Sequence, residues 1–374
     1  MSEGRFLLMI GRSLILCSFL LCACRAAEAE PQVTALPDAQ AQKLRELPLA
    51  VHGRAVRRGS DVIRQWPGSY FVTSFVGPSA AFKVGQGDSI LHIFVDGKMV
   101  HTLVRPAAGA YQVSGMPGGR HKLRIEVANE SQKEPTVFSG FYRGPAVTPL
   151  RTASLARQIE FIGDSYTVGY GNTSPKRECT ENEVWATTDT SQSFGPLLAS
   201  RYRADYQVNA ISGRGIVRNY GGFEADTLPA TYPFALLDRG APYNDPAWRP
   251  QLIVISLGTN DFSTSLKLDE KWRSRAELRD DYEKTYVRFV RQLRAQNPRA
   301  SFILWATDTA EGEVADETER VVQILRSSGE TRVEFLLVTG LSFSGCDYHP
   351  SVADDRVIAD RLGDVIEAQA PFGR

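Results

Sequence analysis

Hydrophobic and polar positions change their rhythm once along this chain, near residue 150. From about 51 to 146, short runs of Val, Ile, Phe and Tyr are broken by turn residues, as in SYFVTSFVG (69–77), SILHIFV (89–95), KMVHTLV (98–104) and HKLRIEV (121–127). Asp96-Gly97 stands between two of these runs and supplies the positive φ angles of a type I′ turn, which predicts a hairpin. Pro117-Gly118-Gly119 marks another turn. No stretch here keeps a helical period. Roughly seven short strands at this spacing predict an all-β sandwich of jelly-roll type. Residues 30–50 are compatible with helix but weakly patterned, and read as a linker.

From about 157 onward, strands alternate with helices. QIEFIG (158–163) reads as a buried strand, SFGPLLASRYRA (193–204) as a helix and DYQVNAI (205–211) as a strand. PQLIVISLG (250–258) is almost continuously apolar, as a strand covered on both faces must be. Residues 276–297 carry Leu278, Tyr282, Tyr286, Phe289, Val290 and Leu293 on one stripe of a long helix that Asn297-Pro298 stops. SFILWAT (301–307), a helix at 313–327 and VEFLLVT (333–339) follow. The final helix starts at Ser351, with Asp354 three residues on as a capping-box partner. Such alternation predicts an α/β fold: a parallel sheet with helices on both faces, in three layers. Ligands of such sheets bind beyond the carboxyl ends of the strands. The expected organisation is a targeting segment and the start of a linker at 1–29, a β-sandwich at 30–148 and an α/β domain at 149–374.

The N-terminus predicts export. Arg5 and Arg12 form a positive region ahead of the apolar run 13–23, which has signal-peptide length and is short for a membrane span. Two processing readings compete. Leu21-Cys22-Ala23-Cys24 resembles a bacterial lipobox and would make Cys24 a lipid-carrying first residue. Ala27-Glu28-Ala29 would suit an ordinary signal peptidase. Of five cysteines, Cys17, Cys22 and Cys24 fall in this segment, leaving Cys179 and Cys346 in the body. An oxidising compartment permits a bridge between those two; two separate thiols are the alternative. The 43 basic and 43 acidic residues balance, so no electrostatic footprint for nucleic acid is present. Two cysteines without suitably spaced histidines make no structural zinc site.

Candidate chemistry sits where the fold rule places it. The strands are followed by Gly163-Asp164-Ser165, by Ser212-Gly213-Arg214-Gly215, by Gly258-Thr259-Asn260-Asp261 and by Cys346-Asp347-Tyr348-His349-Pro350. Each alone is an ordinary loop. In this order, each at a strand end, the four resemble the conserved blocks of the SGNH (GDSL-type) hydrolase superfamily, over about 157–372. The preceding sandwich, the wording FIGDSYTVGYGN and the ending GCDYHPS resemble carbohydrate esterase family 2, whose members are acetyl esterases acting on polysaccharides such as xylan and mannan.

The resemblance implies a flavodoxin-like SGNH domain behind a jelly-roll-like sandwich, and a serine esterase that needs no cofactor and no metal. It implies Ser165 as nucleophile and His349 as its base, because a serine hydroxyl is a weak nucleophile without one. It implies an oxyanion hole from the N–H groups of Ser165 and Gly213 and the side chain of Asn260. The superfamily places an orienting aspartate three residues before the histidine, where this chain has Cys346. Asp347, two before, is expected to hold the Nδ1 proton of His349; a backbone carbonyl that orients the ring, as in other members of the family, is the alternative. Asp164 and Asp261 are expected to tie loops together. A Cys179–Cys346 disulfide is expected to clamp the polar insert 172–192 beside the histidine loop. Trp185, among polar neighbours, is the expected platform for a sugar ring, with Trp248 as a second candidate and Trp305 as core. The expected partner is acetylated carbohydrate, with no nucleic acid and with membrane contact only through a lipid on Cys24; oligomeric state is open. Rival readings are the same chemistry on peptidoglycan, exopolysaccharide or another ester, and a non-catalytic glycan-binding protein.

Overall fold

The computed structural model describes Met1 and residues 30–372. The expected targeting segment, with Cys24 and both processing readings, lies outside the described residues. Among the described residues no helix is long and apolar enough to cross a membrane.

Residues 32–150 form two antiparallel sheets packed face to face. One runs in the order Gln32–Leu36, Gly109–Ser114, Ala80–Val84, Thr136–Arg143, Asp61–Arg64, Ala55–Arg58, with Arg45–Glu46 beside Thr136–Arg143. The other runs Thr148–Leu150, Tyr70–Val76, Arg120–Val127, Ile90–Val95, Lys98–Val104, with Ala50–His52 beside Tyr70–Val76. Their inner faces meet in a core that includes Phe71, Ile93, Leu123, Phe82 and Phe138. Phe71 and Phe138, one from each sheet, stack with ring centroids 4.0 Å apart. Asp96 and Gly97 both take positive φ, 53° and 87°, and join the expected hairpin. The expected linker at 30–50 is a correction: it supplies three strands, paired with Gly109–Ser114, Thr136–Arg143 and Tyr70–Val76. These strands are short and lie mostly exposed or half-buried, so they needed no clean apolar alternation.

The second region is a five-stranded parallel sheet. Its order is Ala204–Ala210, Arg157–Gly163, Leu252–Ser256, Ser301–Thr307, Val333–Val338, which is 2-1-3-4-5 in chain order. Leu252 and Val254 face one helix layer while Ile253 and Ile255 face the other, which is why that strand reads as an unbroken apolar run. Helices Phe194–Arg201 and Val352–Gln369 cover the first face; Arg275–Gln296 and Glu313–Ser327 cover the second. All six residues of the expected stripe on Arg275–Gln296 are buried. Ser351 and Asp354 form the expected capping box.

The two regions share packing. Trp66 of the sandwich joins the core of the second face, and Tyr70 and Val72 join that of the first. Polar groups are paired across the seam: Tyr206 donates to Glu126 at 2.6 Å, Asp189 meets His92 at 3.0 Å, and Arg54 pairs with Glu160 at 3.2 Å. The strand order reverses between Arg157–Gly163 and Leu252–Ser256, and the crevice that follows from it opens at their carboxyl ends.

Candidate active site

The loop after the first parallel strand turns sharply into one helical turn, Ser165–Val168. Gly163 permits it, because a Cβ there would lie 1.9 Å from Thr167 Oγ1. Asp164 caps the turn by accepting the Tyr166 N–H at 3.1 Å. The same carboxyl accepts from Asn260 Nδ2 at 3.1 Å, and burial lifts its pKa to about 7. It ties the first block to the third. Ser165 heads this turn with 6% of its surface exposed.

His349 arrives on the loop after the last strand, and its Nε2 lies 2.9 Å from Ser165 Oγ. Nδ1 faces two backbone carbonyls, those of Cys346 at 2.9 Å and Asp347 at 3.1 Å. A carbonyl only accepts, so Nδ1 carries the proton and Nε2 is left as acceptor for the serine hydroxyl. Burial lowers the His349 pKa, against the opposing pull of the two carbonyls and of Asp347. A neutral imidazole with Nε2 facing the Ser165 hydroxyl is therefore the dominant form near neutrality.

The Asp347 carboxylate does not hold the ring, contrary to expectation. Residue 347 takes φ 50°, and the turn Cys346–Tyr348 curls its carbonyls onto Nδ1. The carboxylate instead accepts from Tyr170 Oη at 3.0 Å. Tyr170 in turn lies against the imidazole, ring centroids 4.3 Å apart.

The insert fixes this turn. Cys179 and Cys346 form the expected disulfide, with Cα atoms 5.5 Å apart. The Arg177 carbonyl accepts the Asp347 N–H at 2.6 Å, and the Arg177 guanidinium donates to the Phe343 and Ser342 carbonyls. Gly171 lies so close to Cys346 that a Cβ would meet the cysteine Cβ at 2.3 Å.

The second and third blocks complete the site. Gly213 has φ 82°, and its N–H, like that of Ser165, donates to no backbone carbonyl among the described residues. Asn260 is buried and donates through Nδ2 to Asp164 and, at 2.9 Å, to the Arg214 carbonyl. Asp261 accepts the N–H groups of Ile216, Val217 and Arg218 at 2.9–3.0 Å and so shapes the second block. Burial raises its pKa to about 6.

Ser165, His349, Gly213 and Asn260 line one cleft of about 570 Å³. Trp185 does not line it: the Arg105 guanidinium lies 3.6 Å over its indole, so its polar neighbours mark the seam with the sandwich. Trp248 is buried and donates to Glu160 at 3.3 Å. The aromatic walls are instead Tyr166, Tyr170, Tyr220, Phe223, Phe343 and Tyr348, with Tyr220 55% and Tyr348 62% exposed. Tyr220-Gly221-Gly222-Phe223 beside the second block is the signal in the sequence that points to two of them. Among the described residues no three His, Cys, Asp or Glu side chains converge to hold a metal ion.

Comparison with known proteins finds relatives over both regions of the chain. Residues 51–151 match the carbohydrate esterase 2 N-terminal family, and residues 161–363 match the GDSL-like lipase/acylhydrolase family. The chain is 43% identical over 328 residues to an acetylxylan esterase / glucomannan deacetylase of Cellvibrio japonicus, covering 86% of this chain and 91% of that protein. It superposes with TM-score 0.83 and 42% identity on a carbohydrate esterase whose active site is described as having divergent catalytic and non-catalytic binding functions, covering 87% of this chain and 98% of that one. A family two carbohydrate esterase from Clostridium thermocellum in complex with cellohexaose superposes with TM-score 0.76 and 27% identity, covering 86% and 99%.

Proposed function

The chain belongs to carbohydrate esterase family 2, and from that premise we propose that it is an exported serine esterase that removes O-acetyl groups from polysaccharides of the acetylated xylan and glucomannan type. The observation that carries the reaction is the 2.9 Å approach of His349 Nε2 to Ser165 Oγ in a cleft at the strand ends.

In this reading Ser165 Oγ attacks the acetyl carbonyl carbon as His349 Nε2 takes its proton. The carbonyl oxygen becomes an oxyanion, received by the Ser165 and Gly213 N–H groups and by Asn260 Nδ2. For Asn260, the N–H now given to the Arg214 carbonyl turns to the oxyanion. The imidazolium returns its proton to the departing sugar oxygen, and the alcohol leaves. Water then attacks the acetyl-serine with His349 again as base, releasing acetate and restoring Ser165. The Cys346 and Asp347 carbonyls hold the Nδ1 proton throughout and fix the tautomer. Tyr220, Phe223 and Tyr348 offer faces on which sugar rings stack.

The test is acetate release from acetylated xylan and acetylated glucomannan. Release from either supports the reading. A folded protein that cleaves a small aryl acetate but leaves both polymers acetylated would remove the polysaccharide assignment and keep the chemistry.

A further inference from the structure

The second block of the cleft is held from the sandwich. The peptide joining Ser212 to Gly213 is one rigid plane: its carbonyl belongs to Ser212 and its N–H to Gly213. That carbonyl accepts from Gln132 Nε2 at 3.1 Å. One peptide earlier, the Ser212 N–H donates to Glu130 Oε1 at 2.8 Å. Both side chains come from the connection between strands Arg120–Val127 and Thr136–Arg143. The connection is itself pinned. The Ala128 carbonyl accepts the Thr190 N–H at 2.7 Å, and Asn129 Oδ1 accepts the Ile90 N–H at 2.7 Å.

A glycine at φ 82° adjoins this plane and offers little resistance to its rotation. A donor on the carbonyl fixes the plane and draws electron density from its N–H, strengthening that N–H as a donor. We propose that the sandwich connection 128–132 positions the oxyanion hole, with Gln132 and Glu130 as positioning residues that aim the Gly213 N–H, which Gln132 also polarises. The proposal rests on the reading above that this N–H receives the oxyanion. It makes the sandwich a working part of the reaction, beyond any hold on polymer.

The test uses the full chain, a small aryl acetate and a small alkylboronic acid, which adds to Ser165 Oγ to give a tetrahedral anion in place of the transition state. Gln132 is exposed, so Gln132→Ala is expected to fold as the wild type does. Its kcat should fall roughly tenfold, less than the 10²–10³ lost with a whole donor, at little changed KM. Boronate affinity should fall by the same factor. Glu130→Ala should behave alike, and Glu130→Gln should restore most of the loss, because the amide oxygen accepts the same N–H.

Asn260→Ala separates the two failures. If it weakens the boronate while Gln132→Ala and Glu130→Ala change neither kcat nor boronate affinity, the positioning role is overturned and the oxyanion hole stands. If none of the three weakens the boronate, the oxyanion reading falls and this proposal with it. A higher KM for Gln132→Ala at unchanged kcat would make Gln132 a substrate contact and overturn the positioning role.

Discussion

Asp347→Asn distinguishes two ways of holding the His349 ring. Losing an orienting carboxylate from a Ser-His-Asp triad costs about 10⁴ in kcat. Here Nδ1 is held by carbonyls of the backbone, at 2.9 and 3.1 Å, and the substitution leaves both in place. What it removes is the charge of the acceptor for Tyr170 Oη and the screened pull of that charge on the imidazolium. A charged acceptor exceeds a neutral one by about 1 kcal/mol, and the exposure of Asp347 reduces that through solvent screening. A factor of ten corresponds to about 1.4 kcal/mol of barrier, so kcat should fall by less than about tenfold. Asparagine is the replacement of choice because residue 347 sits at φ 50°, which Asn tolerates and which would add about 1–2 kcal/mol of strain for alanine. The assay is kcat and KM for an aryl acetate, with folding checked by circular dichroism and pH held well above the His349 pKa. A loss of about 10³ or more in kcat, at unchanged KM and folding, would refute the backbone-carbonyl account.

Three further outcomes are expected. Burial lowers the His349 pKa and the reaction needs the unprotonated ring, so kcat/KM should rise with pH through a midpoint below the ordinary 6.5; a midpoint above it would contradict the buried neutral base. Reducing the Cys179–Cys346 bridge, or Cys179→Ser, should cost about 2–5 kcal/mol and lower kcat by loosening the His349 turn; unchanged Tm and kcat under a dithiothreitol titration would remove the clamp. Tyr220→Ala should raise KM on acetylated polymer several-fold, by about 1 kcal/mol of lost stacking, and move the kinetics on aryl acetate less; equal effects on both would deny a sugar platform.

Legibility in the sequence followed burial. Strands covered on both faces, such as Leu252–Ser256, had to be written as unbroken apolar runs, and the long helix had to show its stripe from Leu278 to Leu293. Strand ends fixed where to look for the four blocks, and the resemblance to the family gave them their roles; the two body cysteines were legible because both lay beside those loops. Three things were not. The strands within 30–52 sit mostly exposed or half-buried, so little in their composition was constrained. The partner of His349 Nδ1 depends on a left-handed backbone at Asp347 and Tyr348, a conformation that side-chain identity does not dictate. Trp185 had polar neighbours because it lies under Arg105 of the sandwich, a contact between positions distant in sequence.

In the proposed reaction Ser165, activated by His349 through a 2.9 Å contact, hydrolyses acetyl esters of carbohydrate. Acetate release from acetylated xylan and glucomannan by the wild type, Ser165→Ala and His349→Ala, each shown to be folded, decides whether it does. Release by the wild type and a loss of at least about 10³ in both variants are expected. Comparable release by a folded Ser165→Ala protein would contradict it.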